Sequence, residues 1–173
     1  MLDNDLFPET RVVSPANELD ECYTLREDVL WCLKKLGEDA YDLDVAACEE
    51  SHHADEWFDL QTNGLKTRWH GNVWCNPPYS DIEPWVRKAL KTCGPKPEAL
   101  SVSMLLPASR TEQPWWQKHI EPLRDRDERI STHFLPGRTR FGMPGNPKGI
   151  GVGSPPFACV LVIFRRHRLF SEG

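Results

Sequence analysis

The chain has 173 residues, of which 39% are hydrophobic and 27% charged, with seven Trp and seven Phe. This length suits a single domain, and the aromatic content excludes a disordered polar chain. No run approaches the roughly 20 apolar residues of a membrane-spanning helix, and the acidic start lacks the basic-then-apolar order of a signal peptide. The composition predicts a soluble, cytoplasmic protein.

The net charge of −5 hides an uneven distribution along the chain. Residues 1–59 contain 17 Asp and Glu against 4 Lys and Arg, whereas residues 60–173 contain 9 against 17. A basic region of this size favours approach to a polyanion such as nucleic acid. A merely solubilising surface explains the charge equally well, so charge alone does not decide the function.

Predicted helices and strands alternate along the chain. Residues 1–20 lack apolar periodicity and predict an acidic, mobile arm, and residues 21–173 predict a single domain. Helices are predicted at 24–37 and 80–94, each opening with the spacing of a capping box and closing at a glycine. A Gly- and Pro-rich loop at 137–156 precedes the last strand. The remaining elements are strands at Tyr41–Ala46, Asn72–Cys75, Leu100–Leu106, Arg129–Leu135 and Phe157–Phe164, and a short helix at Glu112–Ile120.

This alternation predicts an α/β fold in which helices cover both faces of a sheet of parallel strands. Ligands of such sheets bind beyond the carboxyl ends of the strands. The segment Asn76-Pro77-Pro78-Tyr79 follows a predicted strand directly and therefore falls at this edge.

The Asn-Pro-Pro-Tyr segment has the parts that an amino-bearing heterocycle needs. Its two prolines fix φ near −65° and lack amide protons, so the peptide is stiff and presents carbonyl oxygens. Asn76 Oδ1 and the Pro77 carbonyl can accept both N–H groups of an exocyclic amine and localise its lone pair, while the ring of Tyr79 can stack on a planar ligand. An ordinary loop start is the alternative, since Asn-Pro and Pro-Pro are common in turns.

Several segments between Tyr23 and Phe164, in one order, resemble the short, phage-type DNA adenine methyltransferases (the phage Dam family). They are Tyr23-Thr24, YDLDVAA at 41–47, NGL at 63–65, residues 69–80, Trp85-Val86, LLPA at 105–108, Trp115-Trp116 and LPGRTRF at 135–141. The resemblance implies a compact Rossmann-like methyltransferase fold with a mostly parallel sheet. It also implies transfer of a methyl group from S-adenosylmethionine to the 6-amino group of an adenine flipped out of DNA. The location would be the host cell cytoplasm if a phage encodes the protein.

The resemblance also assigns site residues. The catalytic set is Asn76, Pro77, Pro78 and Tyr79, and the cofactor set is Asp44, Ala46, Thr24 and Asn76. The chain departs from the family pattern where Thr24-Leu25 replaces the usual Thr-Pro. It departs again where Val45-Ala46-Ala47 replaces the Gly-rich turn of larger methyltransferases.

DNA is the expected partner, with no membrane and no obligatory protein partner. The expected DNA contacts are Arg110, Arg138, Arg140 and Phe141, because arginine with an interleaved aromatic ring suits phosphate contact and base stacking. A solvated loop with incidental arginines is the alternative for the last three. No metal is expected, because the nearest cluster fits no standard zinc spacing; its members are Cys48, His52, His53 and Cys75.

Two other functions stay open at this point. The first is a methyltransferase for another amine, such as the cytosine 4-amino group, an RNA adenine or a protein glutamine. The second is a nucleic-acid-binding protein on a catalytically inactive scaffold, which the missing Gly-rich turn would allow.

Overall fold

The computed structural model describes residues 23–126, 128–142 and 158–166. The predicted arm at 1–20 and most of the predicted loop at 137–156 lie outside the described residues. The described helices are α1 (Arg26–Leu36), α2 (Glu83–Thr92) and α3 (Pro114–His119), with a 3-10 turn at Ala108–Arg110. The strands are β1 (Tyr23–Thr24), β2 (Leu43–Asp44), β3 (Glu56–Trp57), β4 (Gly71–Cys75), β5 (Ala99–Pro107), β6 (Ile130–Phe134), β7 (Phe141–Gly142) and β8 (Cys159–Arg165).

The main sheet has six strands in the order β3-β2-β4-β5-β8-β6, and β1 and β7 form a separate two-stranded sheet. The first four strands of the main sheet are parallel, which agrees with the predicted α/β class. The sheet is therefore mostly parallel, as the resemblance implies, and β8 is the exception, because it runs antiparallel to both neighbours. Phe134 at the end of β6 pairs with Val160 near the start of β8, so the chain enters β8 from the carboxyl edge and runs back.

The capping box predicted for the first helix is wrong, and the N-cap of the second helix lies two residues after the predicted cap at Ser80. Helix α1 begins after Leu25 and α2 after Ile82, and neither of these residues makes a side-chain capping hydrogen bond. Thr24, the predicted cap of the first helix, lies instead in β1. The predicted stop at Gly37 is confirmed, because this residue has φ of 86° and its N–H donates to the Leu33 carbonyl.

The long predicted strands are confirmed with small shifts in their ends, and the predicted helix at 112–120 is found as α3. The strand predicted at Tyr41–Ala46 is shorter, since only the two residues of β2 pair. The sequence reading missed the three other two-residue strands, which are β1, β3 and β7.

The core lies around the central strands β5 and β8, whose residues are almost all buried. Trp115 and Trp116 are both buried, so core packing accounts for both rings. In the described part of the chain, no helix is long and apolar enough to cross a membrane.

Candidate active site

The site begins where the neighbouring strands β2 and β4 end. Asp44 of β2 pairs in register with Trp74 of β4, and the Val45 N–H donates to the Trp74 carbonyl at 3.1 Å. Asn76 follows β4 directly, so the segment that begins with it continues from the same strand ends. Adjacent parallel strands thus bring Asp44 and the Asn-Pro-Pro-Tyr segment to one edge of the sheet, as the sequence predicts.

Asp44 is a buried carboxylate with only 2% of its surface exposed. The His53 N–H donates to its Oδ2 at 3.0 Å, and the Ala46 N–H donates to its Oδ1 at 3.4 Å. Burial raises the pKa of Asp44 to about 7, although these two backbone donors oppose the shift. A ligand that donates a hydrogen bond or carries positive charge would therefore favour its ionised form.

The Asn-Pro-Pro-Tyr segment is fixed by bonds to its surroundings. Asn76 Oδ1 is buried. The Asp81 N–H donates to the Pro78 carbonyl at 3.3 Å, and Arg110 Nη1 donates to the Tyr79 carbonyl at 3.0 Å. The Tyr79 hydroxyl donates to the Leu105 carbonyl at 3.3 Å, and only 8% of this residue is exposed. Both the backbone and the ring of the segment are therefore held in one orientation.

The small β1–β7 sheet joins two distant parts of the chain beside this segment. Thr24 pairs with Phe141, and the Phe141 ring meets the Tyr79 ring edge-on at a centroid distance of 6.3 Å. On the other strand, the carbonyl group of Thr24 accepts a hydrogen bond from the His53 ring. The small sheet thus touches both the Asp44 side and the Tyr79 side of the site.

The residues predicted to bind DNA divide into two groups. Arg138 and Arg140 are exposed and flank the buried Thr139, so both side chains point outward from the segment that leads into β7. Phe141 is only 1% exposed and packs against Tyr79, so its ring does not face solvent, and base stacking by this residue stays a prediction. Arg110 is half-buried and holds the Tyr79 carbonyl, a positioning contact that its sequence position did not reveal.

The polar groups around Asp44 fit a ligand with hydroxyl and amino groups. In the described part of the chain, Thr24 Oγ1 and His53 Nε2 are buried and have no hydrogen-bond partner. Burial lowers the pKa of His53 to about 4, so its ring is neutral at pH 7. Its Nδ1–H donates to the Thr24 carbonyl, which leaves Nε2 as an acceptor. A buried carboxylate with two orphan polar atoms is consistent with the ribose and amino acid parts of S-adenosylmethionine.

His53 is the residue that sequence reasoning missed at this site. After β2 the chain turns back, so that the backbone N–H of His53 meets the Asp44 carboxylate, nine positions earlier in the sequence. In the sequence, His52 and His53 indicate only a weak candidate for a metal site. Among the described residues, no three His, Cys, Asp or Glu side chains are grouped as a metal site requires.

The protein has an α/β fold with a candidate ligand site at the carboxyl edge of a mostly parallel sheet, where the strand that ends in a buried carboxylate neighbours the strand that leads into the Asn-Pro-Pro-Tyr segment. A family model described as DNA N-6-adenine-methyltransferase (Dam) matches residues 16–169. The chain therefore belongs to the DNA N-6-adenine-methyltransferase (Dam) family, which confirms the resemblance found in the sequence.

A curated relative and a solved structure give further comparisons. The DNA N-6-adenine-methyltransferase of Escherichia phage T1 is 31% identical over 143 residues, which are 73% of this chain. The chain spans 58% of the length of that relative. A crystal structure assigned to an RNA methyltransferase of Pyrococcus horikoshii is 11% identical, with a TM-score of 0.46 over 80% of this chain and 81% of that one.

Proposed function

We propose that this chain is an S-adenosylmethionine-dependent DNA methyltransferase that modifies the 6-amino group of adenine. One observation carries the proposal: a rigid Asn-Pro-Pro-Tyr segment lies at the carboxyl edge of the sheet, next to the end of the strand that carries the buried Asp44. Membership of the Dam family supports DNA as the substrate. The Rossmann-like methyltransferase fold with helices on both faces of the sheet is part of the same proposal.

The acceptor groups for the amine are proposed at the start of the segment, where it leaves β4. The carbonyls of Pro78 and Tyr79 already accept hydrogen bonds from Asp81 and Arg110. We assign the two N–H groups of the target amine to Asn76 Oδ1 and the Pro77 carbonyl. Two fixed acceptors would localise the nitrogen lone pair, which is otherwise delocalised into the adenine ring, and would make the nitrogen nucleophilic.

The cofactor residues in this proposal are Asp44, Ala46, Thr24 and His53, with Asn76 between cofactor and target base. When bound, S-adenosylmethionine supplies a methyl group on a positively charged sulfur. The contribution of the chain is to place the amine in line with that group and to exclude water. Asp44 would bind hydroxyl or ammonium groups, and His53 Nε2 would accept a further hydrogen bond.

An adenine in duplex DNA hides its amine within the base stack. The acceptors of the Asn-Pro-Pro-Tyr segment lie in a recessed position, so we propose that the target nucleotide rotates out of the helix to reach them. We propose that Arg138 and Arg140, which are exposed, hold the phosphates beside the flipped nucleotide.

The direct test is methyl transfer from labelled S-adenosylmethionine to DNA, followed by digestion to nucleosides. We expect the label in N6-methyl-2′-deoxyadenosine alone. Label on cytosine, in RNA but not DNA, or on a protein glutamine would contradict the substrate assignment. Absence of both cofactor binding and transfer would contradict the enzyme assignment and favour an inactive binding scaffold.

Substitution of Asn76 tests the mechanism. Asn76→Ala removes one acceptor, so we expect turnover to fall by about 100-fold or more while the affinity for S-adenosylmethionine survives. Asn76→Asp keeps an acceptor oxygen at the same position and is the matched control, with turnover expected to exceed that of the Ala variant. Steady-state rates together with calorimetric titration measure both quantities. Equal turnover in the Ala variant and the unsubstituted protein would exclude this role for Asn76.

A further inference from the structure

The connection between β3 and β4 is unusual because it passes over β2 without regular secondary structure. Parallel strands are normally joined by a crossover helix, which satisfies its own backbone groups. Residues 58–70 form only turns and loop. The carbonyl groups of such a segment need donors from elsewhere when they are removed from water.

Lys88 of α2 supplies these donors. Its Nζ donates to the carbonyls of Gly64 and Leu65, both at 2.9 Å, and also to the carbonyl of Thr67. The ammonium lies 5.0 Å from the centroid of the Trp69 ring, and Trp69 Nε1 donates to the same Gly64 carbonyl at 2.8 Å. All three donors of one ammonium group are thus used on a single loop. Burial lowers the pKa of Lys88, as expected for a partly desolvated ammonium.

Gly64, in the loop held by Lys88, packs directly against the backbone of Val45. A Cβ atom on Gly64 would overlap the carbonyl oxygen of Val45 and lie 3.2 Å from the Trp85 ring. Val45 lies between Asp44 and Ala46, two of the residues assigned to the cofactor. The contact therefore connects Lys88 to the backbone of the turn that carries the buried carboxylate.

We propose that Lys88 is a positioning residue for the cofactor turn at residues 44–47. This turn has no glycine. The Ala46 N–H donates to Asp44 Oδ1, and the Ala47 N–H donates to the Phe58 carbonyl. Lys88 holds residues 64–67 in place and so keeps Gly64 in contact with Val45. This contact restricts the backbone of the turn. The inference rests on the proposed function, because it takes residues 44–47 as the cofactor turn.

The test is Lys88→Met, which keeps the aliphatic side chain and removes the donors. We expect the Kd and KM for S-adenosylmethionine to rise about tenfold, whereas kcat at saturating cofactor and the KM for DNA stay within about twofold. Lys88→Arg keeps a charged donor and should recover part of the affinity. Lys91→Met on the same helix is the matched control, since Lys91 is exposed, and should bind cofactor like the unsubstituted protein.

Limited trypsin digestion gives a readout without cofactor. Lys66 and Arg68 are exposed on the loop, so release of its carbonyls in Lys88→Met should accelerate cleavage after both residues severalfold relative to Lys91→Met. Saturating S-adenosylmethionine should slow this cleavage. Gly64→Ala provides an independent perturbation, because it displaces Val45 while Lys88 is intact, and should also weaken cofactor binding.

The outcomes separate the two proposals. If the unsubstituted protein binds S-adenosylmethionine and Lys88→Met binds it with equal affinity, the role of Lys88 is only structural, even if the variant melts at a lower temperature. If the unsubstituted protein does not bind the cofactor, the proposed function fails and the assignment of Lys88 fails with it. Loss of kcat at unchanged cofactor affinity would likewise overturn the positioning role.

Discussion

Asp44 has the most perturbed environment of the residues assigned to the cofactor. It is 2% exposed, and the desolvation of its carboxylate outweighs two backbone hydrogen bonds and raises its pKa to about 7. The free protein therefore holds this group near the midpoint of its titration at neutral pH. A donor ligand that stabilises the carboxylate lowers the pKa in the complex, so binding and ionisation are coupled.

The affinity for S-adenosylmethionine should therefore depend on pH. Below the pKa of about 7, binding must first remove a proton from Asp44, so the affinity should increase by up to about tenfold per unit as pH rises towards 7 and then level off. The stability of the free protein should change in the opposite direction. Burial raises the pKa above its unfolded value, so the contribution of Asp44 is most favourable below about pH 4 and is lost as pH rises through about 7.

Calorimetric titrations and urea unfolding between pH 5.5 and about 8 would measure both trends. Asp44→Asn is the control, because it cannot ionise and should flatten the part of each profile that belongs to this residue. The α-amino group of the cofactor titrates equally in both proteins and cancels in the comparison. A pH profile of affinity that is identical in the two proteins would exclude Asp44 as the linked group.

Among the helices and strands, the sequence predicts the features that depend only on residues close together in the chain. The strand Asn72–Cys75 and the stop at Gly37 were readable because apolar runs and a glycine φ of 86° depend on near neighbours. The Asn-Pro-Pro-Tyr segment was readable for the same reason, since its stiffness is a property of the residues themselves. These local features are enough to predict a candidate site at the carboxyl edge of the sheet.

The rest depends on contacts between distant segments. Strand β1 exists because it pairs with β7 more than a hundred residues later, and a two-residue strand has no periodicity to recognise. Thr24 matches the capping pattern, but its backbone is used in that pairing instead of at the helix start. The contacts of His53 with Asp44 and of Lys88 with the 64–67 loop likewise join residues far apart in the sequence.

Phe141 of the β1–β7 sheet should contribute both to the stability of the protein and to the rate of methyl transfer. This residue is 1% exposed and packs against Tyr79, so Phe141→Ala should lower the free energy of unfolding by about 3–5 kcal/mol. It should also reduce methyl transfer more than cofactor affinity, because the lost contact supports the Asn-Pro-Pro-Tyr segment. Urea unfolding and steady-state rates would measure the two effects.

Phe134 provides a matched control for this substitution. It is 56% exposed on the edge strand β6, so Phe134→Ala should change stability by no more than about 0.5 kcal/mol. Equal destabilisation by the two substitutions would show that burial at position 141 does not hold the small sheet in place. If Phe141→Ala is destabilised but transfers methyl groups at an unchanged rate, the β1–β7 sheet does not support catalysis.

Among the described residues, acidic and basic parts of the chain contribute strands to opposite sides of the sheet. The acidic first third of the chain contributes β2 and β3 at one side, and the basic remainder contributes β4, β5, β6 and β8. The Asn-Pro-Pro-Tyr segment follows β4, at the boundary between the two. We infer that DNA lies over the basic side of this boundary and is repelled from the other side, which orients the duplex relative to the site.

This orientation predicts a location-dependent effect of removing charge. The double variant Arg138→Ala/Arg140→Ala should weaken DNA binding and reduce the slope of log K against log salt by about 2, because each lost phosphate contact contributes about 0.9. Lys91→Ala/Lys96→Ala removes the same charge from two exposed positions, one in the last turn of α2 and one in the loop that leads to β5 at the amino edge of the sheet. Fluorescence anisotropy over a salt series should show a nearly unchanged slope for this control. Because both double variants carry the same net charge, equal slopes would mean that DNA senses only the total charge of the protein, and the proposed orientation would be wrong.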